Sequence, residues 1–224
     1  AIDNKAKFNL TELTGHKLSE GIYKVVAYVN DTAYNHVNHT SMFTVNKIYP
    51  SMDIAIFNNE SIYVGDTVKI VVTVPNDVTE NVTIEMNNIK LTNVTDANGE
   101  ATFFIQDITY GDKTVVAAYV GDDKYRYNST TANFTVHKRQ SQLNVTARGG
   151  NVGDNAVIDV EVQDNATGYV TVDINGTNYS IKLNNDGTGS ISIPNLGNGT
   201  YYVHATYLGD DQYLSGINNT KTFT

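Results

Sequence analysis

Tyr119-Val120-Gly121-Asp122-Asp123-Lys124-Tyr125 and Tyr207-Leu208-Gly209-Asp210-Asp211-Gln212-Tyr213 are two copies of one pattern, 88 residues apart. Working outward, Val64-Gly65-Asp66 falls on Val152-Gly153-Asp154, Asn87 on Asn175, Gly99 on Gly187 and Gly111 on Gly199 at the same offset. From 64 to 125 the two copies align without a gap and share 20 of 62 residues. One fold unit is therefore used twice. A third copy is incomplete. Tyr28 to Tyr34 matches Tyr119 to Tyr125 at an offset of 91, as does Phe43-Thr44-Val45-Asn46-Lys47 against Phe134 to Lys138. Ala6 to Leu10 resembles the stretch Ala101 to Ile105. The chain reads as half, full, full: 1–47, 48–137 and 138–224.

Within a full copy, apolar residues alternate with polar ones: Val68, Ile70, Val72 and Val74, then Val82, Ile84 and Met86. Period 2 is the strand signal. Asn87-Asn88 and Asn175-Gly176 predict two-residue hairpin turns. Asp96-Ala97-Asn98-Gly99 predicts a further hairpin turn into Ala101, Phe103 and Ile105. With Met52, Ile54 and Ile56 at the start, and Val115, Ala117, Tyr119, Phe134 and Val136 at the end, the copy holds about seven strands, the number of an immunoglobulin-like sandwich. Composition agrees. There are 28 Asn and 27 Thr among 224 residues, with 3 Pro and no Trp. The predicted fold class is all-β, with tandem immunoglobulin-like sandwiches. The joining segment Val136-His137-Lys138-Arg139-Gln140-Ser141 has no Gly/Ser run, which predicts a fairly stiff, extended rod.

The Gly-Asp near one strand start, the Asp-Ala-Asn-Gly-Glu-Ala turn, and the Ala-x-Tyr-x-Gly-Asp-Asp-x-Tyr segment before a Phe-Thr-Val strand resemble bacterial-type Ig-like (Big-like) repeats. Such repeats occur in tandem in large surface proteins, notably adhesin-like proteins of methanogenic archaea. The resemblance covers the whole chain and implies an extracellular stalk or adhesin. Its partners would be a cell-surface protein, a glycan or neighbouring copies of itself.

Charge and composition exclude several functions. Fifteen Lys+Arg against 24 Asp+Glu give a net charge of −9, against nucleic-acid or anionic-membrane binding. Without cysteine there is no disulfide or thiolate chemistry. No apolar run approaches the ~18 residues of a membrane span. The start Ala-Ile-Asp reads as a mature or trimmed product. No Ser/His/Asp ordering, paired-carboxylate motif or Gly-rich phosphate loop is visible, so no catalysis and no cofactor is expected.

Asn-x-Ser/Thr sequons are the clearest signal. They open at Asn9, Asn30, Asn38, Asn59, Asn81, Asn93, Asn128, Asn144, Asn165, Asn178, Asn198 and Asn218, and at Asn133 and Asn175, which a strand and a tight turn disfavour. Chance placement gives about 5, so the 14 found are about a threefold excess. Several are expected to be N-glycosylated outside the cytoplasm. Asp122 and Asp123, and Asp210 and Asp211, are candidate calcium ligands, since paired carboxylates supply hard oxygens. The alternative is a turn in which Asp accepts local backbone N–H groups and Tyr packs beneath. His16, His36, His39, His137 and His204 read as loop or surface residues. A Lys69–Asn133 isopeptide bond is conceivable only in the middle copy, because Val157 takes the lysine's place in the last.

Residues 1–47 read as three strands bearing Phe8, Leu10, Val25, Ala27, Phe43 and Val45, half of a sandwich core. Either a longer array continues upstream, or strands of another molecule complete the half and build a surface layer or filament. A carbohydrate-binding module, with loop tyrosines such as Tyr125, Tyr127 and Tyr213 stacking on sugars, is a further alternative.

Overall fold

The computed structural model describes residues 6–15, 17–29, 32–33, 37–58, 61–78 and 80–224. Among them, one short helix, α1 (Leu10–Thr14), precedes seventeen strands. These are β1 (Gly21–Tyr28), β2 (Asn38–Val45), β3 (Asp53–Ile56), β4 (Ile62–Tyr63), β5 (Val68–Thr73), β6 (Val82–Met86), β7 (Ile89–Asn93), β8 (Glu100–Ile105), β9 (Gly111–Tyr119), β10 (Asn128–His137), β11 (Asn144–Arg148), β12 (Ala156–Glu161), β13 (Tyr169–Ile174), β14 (Thr177–Lys182), β15 (Thr188–Ile193), β16 (Tyr201–Tyr207) and β17 (Gly216–Phe223). The fold is all-β and immunoglobulin-like.

Each full copy divides its strands between two sheets. The middle copy forms β3-β5-β8 and β4-β10-β9-β6-β7, the last copy β11-β12-β15 and β14-β13-β16-β17. β4 runs parallel to β10, pairing Ile62 with Val136 and Tyr63 with His137. The period-2 pattern explains the burial. On β12, Ala156, Ile158 and Val160 face the core while Val157 and Asp159 are half-buried. Val170, Val172, Ala205 and Tyr207 join them at 0% exposure. In the middle copy Ile70, Val72, Val82, Val115, Ala117, Tyr119 and Val136 are equally closed off. Each Val or Ile among them contributes about 1.5–3 kcal/mol on burial.

The two hairpins form as predicted. Asn87 and Asn88 have φ of 46° and 67°, Asn175 and Gly176 49° and 89°. Positive φ at both central residues is the twist-matching hairpin turn. The Asp96–Gly99 turn differs from expectation. It joins β7 to β8, which lie in different sheets, so it is a crossing and not a hairpin. Val74 N–H donates to the Gly99 carbonyl (2.9 Å), and a Cβ on Gly99 would stand 2.1 Å from the Val74 carbonyl oxygen.

By their contacts the residues fall into two compact units, 1–55 with 70–103 and 114–132, and 56–69 with 104–113 and 133–224. In the first, β1 and β2 form a two-stranded sheet, Gly21 opposite Val45 through Tyr28 opposite Asn38. The predicted strand over Ala6 to Leu10 does not form; α1 begins at Leu10, and Phe8 is 72% exposed. Its counterpart β8 pairs with β5, whereas among the described residues β1 and β2 form a sheet of two strands only. Two residues beyond the equivalent positions Tyr23, Lys113 and Tyr201 stand Val25, Val115 and Val203. Val25 is 38% exposed, the others 0% and 1%. The sequence match of Tyr28 to Tyr119 also fails in space: Tyr28 is 74% exposed, Tyr119 fully buried. A one-residue shift in register turns a side chain to the opposite face.

Candidate functional site

The Gly-Asp-Asp-x-Tyr loops are turns that clasp an incoming linker. Gly121 and Gly209 have φ of 94° and 83°, and a Cβ on either would come within 2.9 and 2.8 Å of the Tyr125 and Tyr213 carbonyl oxygens. Asp122 accepts the N–H groups of Lys124 and Tyr125 (2.7 Å each) and the Tyr119 hydroxyl (2.6 Å). Asp210 accepts Gln212 N–H (2.8 Å), Tyr213 N–H (2.7 Å), Thr167 N–H (2.8 Å) and the Thr167 hydroxyl (3.1 Å). Burial pushes the Asp210 carboxyl up, but the N–H groups of Thr167, Tyr213 and Gln212 outweigh it and hold it below the ordinary range. Tyr207 is pushed upward, by burial first and then by Asp210 beside it.

This is the turn chemistry expected as the alternative to calcium. Asp122 and Asp210 direct their oxygens at N–H and O–H donors, while Asp123 and Asp211 are exposed. Among the described residues no three His, Asp or Glu side chains come together. Each loop thus brings one carboxylate to the surface, where calcium takes about six to eight oxygens.

The loops hold the linkers by their backbones. Ile48 donates to the Lys124 carbonyl (3.1 Å) and accepts Arg126 N–H (2.8 Å); Arg139 donates to the Gln212 carbonyl (2.8 Å) and accepts Leu214 N–H (2.9 Å). An arginine side chain completes each junction with the same chemistry. Arg126 Nε donates to the Lys47 carbonyl (3.2 Å) and Nη2 to Glu20 (2.9 Å). Arg139 Nε donates to the Val64 carbonyl (3.0 Å) and Nη2 to Asp66 (2.5 Å). Both guanidinium groups lie over a tyrosine, Arg126 over Tyr49 at 6.0 Å and Arg139 over Tyr63 at 5.7 Å. The two arginines are not equivalent in the repeat: Arg126 follows its loop and Arg139 lies in the linker. Comparing the copies in sequence therefore misses them. Lys124 makes a further tie, pairing with Asp77 and holding that carboxyl below its ordinary range.

The sequons divide by surroundings. Asn30 and Asn59 lie outside the described residues, as do His16 and His36. Asn9, Asn38, Asn81, Asn144, Asn165, Asn178 and Asn198 are exposed. The exposed Asn93 and Asn175 and the half-buried Asn128 and Asn218 use their amide groups in hydrogen bonds to the backbone. Asn133 is an exposed residue of β10, and Lys69 lies over the Phe57 ring at 4.5 Å. His39, His137 and His204 are exposed. A cleft of about 580 Å³ is lined by Glu20, Lys47, Glu80, Asp123, Arg126 and neighbouring loop residues, with no histidine among them.

A family model, the bacterial Ig-like domain (group 3), matches residues 56–137. No curated protein sequence matches the chain. Among solved structures it is similar to a Ca2+-stabilised adhesin with which an Antarctic bacterium binds ice, at 18% identity over 90% of this chain and 55% of that one, TM-score 0.32. It is similar to invasin, a bacterial integrin-binding protein, at 21% identity over 75% and 39%, TM-score 0.47. It is also similar to β-glucuronidase 3 of Bacteroides uniformis, at 12% identity over 77% and 25%, TM-score 0.30. The chain thus spans about half or less of these proteins, and likenesses of this size assign it no function.

Proposed function

We propose that this chain is a non-catalytic structural and adhesive segment, a stalk, of a secreted, N-glycosylated cell-surface protein of adhesin type. The observation that carries this reading is the construction of the junctions. Each linker is hydrogen-bonded into the loop of the following copy and pinned by an arginine that grips a carbonyl and a carboxylate. Such joints suit a segment that holds copies in a set orientation and presents something beyond itself. The family match over 56–137, the acidic surface and the sequons support a surface setting. The partner is a surface protein or glycan. Among the described residues no helix is long and apolar enough to cross a membrane.

The test is electron microscopy and light scattering of the purified chain, with an assay against glycoside, ester and peptide substrates. Discrete particles without turnover are expected. Turnover abolished by a point substitution in the chain would overturn the reading. A second reading, a filament or surface-layer subunit, is favoured by the exposed apolar side chains on the two faces of β1, Val25 at 38% on one and Ile22 at 72% on the other. Filaments in the micrographs would select it.

A further inference from the structure

Asparagine is absent from the interior strands β5, β6, β9, β12, β13 and β16. The outer strands hold eight, counting β10, which β4 covers only at Val136 and His137, and seven of the eight open sequons. An outer strand exposes unpaired backbone groups and invites another chain to pair with it. The sequons therefore collect where the sheets need covering.

Three of them already act there without any modification. Asn93 on β7 donates its Nδ2–H to the Thr102 carbonyl on β8 (2.9 Å). Asn128 on β10 donates to the Pro50 carbonyl, just before β3 (2.9 Å). Asn218 on β17 donates to the Leu143 carbonyl, just before β11 (2.9 Å). In each case the donor belongs to the larger sheet and the acceptor to the smaller one or the chain entering it. The side chain thus supplies a backbone-like bond across the seam. Asn218 Oδ1 also accepts the N–H (3.2 Å) and hydroxyl (3.0 Å) of Thr220, so the sequon's own hydroxyl is spent as well. Asn144 on β11 and Asn178 on β14 are exposed on outer strands, as Asn93 is, but among the described residues neither amide donates across a seam. The last copy has no counterpart of the Asn93 bond, because Ile181 takes that place, buried on β14 itself.

We propose that these sequons are two populations guarding the sheet edges in two ways. Asn93, Asn128 and Asn218 stay unmodified and stitch the sheets with their own amides. Asn144 and Asn178 carry N-linked oligosaccharides that cover β11 and β14. The second half rests on the glycosylation reading above; the first does not. Transfer uses an oligosaccharide activated as a polyprenyl phosphate ester. Nδ2 bonds to the sugar C1, the C1–O bond breaks, and the lipid phosphate and one Nδ2 proton leave. At a seam asparagine one Nδ2 hydrogen already goes to the carbonyl across the seam, so a sugar replacing the other would have to lie along that seam.

The test is site-by-site glycopeptide mass spectrometry of the full chain from an N-glycosylating host. Occupancy is expected in most molecules at Asn144 and Asn178, and at least tenfold lower at Asn93, Asn128 and Asn218. Equal occupancy at both groups would overturn the division while leaving glycosylation intact. No occupancy anywhere would overturn the glycan half and the glycosylation reading together. Unglycosylated protein from a bacterial host tests the stitches separately. Asn93→Ala, Asn128→Ala and Asn218→Ala should each lower the unfolding midpoint, and Asn144→Ala and Asn178→Ala should leave it unchanged; equal effects would overturn the stitch assignment. In the glycosylated chain, Thr146→Val with Ser180→Val removes both edge glycans and keeps the asparagines. Self-association should rise severalfold over Thr200→Val, which removes the loop glycan at Asn198; no rise would overturn the guarding role.

Discussion

Tyr201 and Phe223 stack with ring centroids 5.2 Å apart and planes 13° from parallel, and the Tyr201 hydroxyl donates to the Gly197 carbonyl four residues upstream (3.0 Å). Tyr23 and Phe43 repeat the arrangement at 5.4 Å and 15°, with the hydroxyl on the Ser19 carbonyl (2.9 Å). A tyrosine at the start of this strand that bonds its own upstream backbone is the corner device of immunoglobulin-like sandwiches. Tyr201→Phe should cost about 1 kcal/mol, one hydrogen bond. Tyr201→Ala should cost about 2–3 kcal/mol, since the stack goes too. Denaturant midpoints of the two variants check this; equal losses would show that the ring contributes nothing.

The middle copy puts Lys113 at that corner, 7% exposed, with its ammonium on the Tyr110 carbonyl (3.2 Å) and the Thr109 hydroxyl (3.3 Å). No carboxylate among the described residues pairs with it. A buried ammonium held only by neutral oxygens keeps much of its desolvation cost. Lys113→Met should therefore leave the thermal midpoint unchanged or raise it. A loss above about 1 kcal/mol would mean that the two hydrogen bonds outweigh desolvation.

Asp210 sets a pH dependence. Its folded pKa lies below the ordinary carboxylate value, so its contribution is complete above the unfolded pKa of about 4 and is lost as pH falls through the folded value. Asp210→Asn should destabilise by about 1–3 kcal/mol at pH 7, where the Thr167 N–H and hydroxyl lose the Oδ2 acceptor. The gap from wild type should narrow below about pH 4. Urea unfolding of both proteins at pH 7 and pH 3 measures it, and a gap that widens in acid would refute the assignment.

Gly187 and Gly176 separate space from conformation. Both have positive φ, but a Cβ on Gly187 meets the Gln163 carbonyl oxygen at 2.2 Å while nothing lies within 4 Å of one on Gly176. Gly176→Ala should cost about 1 kcal/mol, the φ penalty alone. Gly187→Ala should exceed about 3 kcal/mol, because backbone must move as well. Comparable unfolding midpoints would contradict the close approach.

What could be read in the sequence follows from range. The strands and the Asn87-Asn88 and Asn175-Gly176 turns are local, fixed by alternation and by residues that tolerate positive φ. The loop aspartates were legible as turn acceptors because their donors stand two and three residues on. Long-range partners leave no such trace. Arg139 meets Asp66 across 73 residues, and Asn218 reaches Leu143 across 75. The Asn218 sequon even conceals its seam role, since the same three letters announce a glycan acceptor. The stretch Ala6 to Leu10 shows the converse: its strand-like pattern leads into α1 and leaves Phe8 exposed.

The parallel pairing of β4 with β10 bears on mechanical load. Force entering at the start of β4 and leaving at the end of β10 pulls parallel neighbours in opposite directions along their length. The Ile62–Val136 and Tyr63–His137 pairs, with the 2.9 Å bond from Val64 N–H to the His137 carbonyl, are then strained together in shear and do not peel apart one by one. Under such a load the middle copy resists where its short strand β4 lies beside β10.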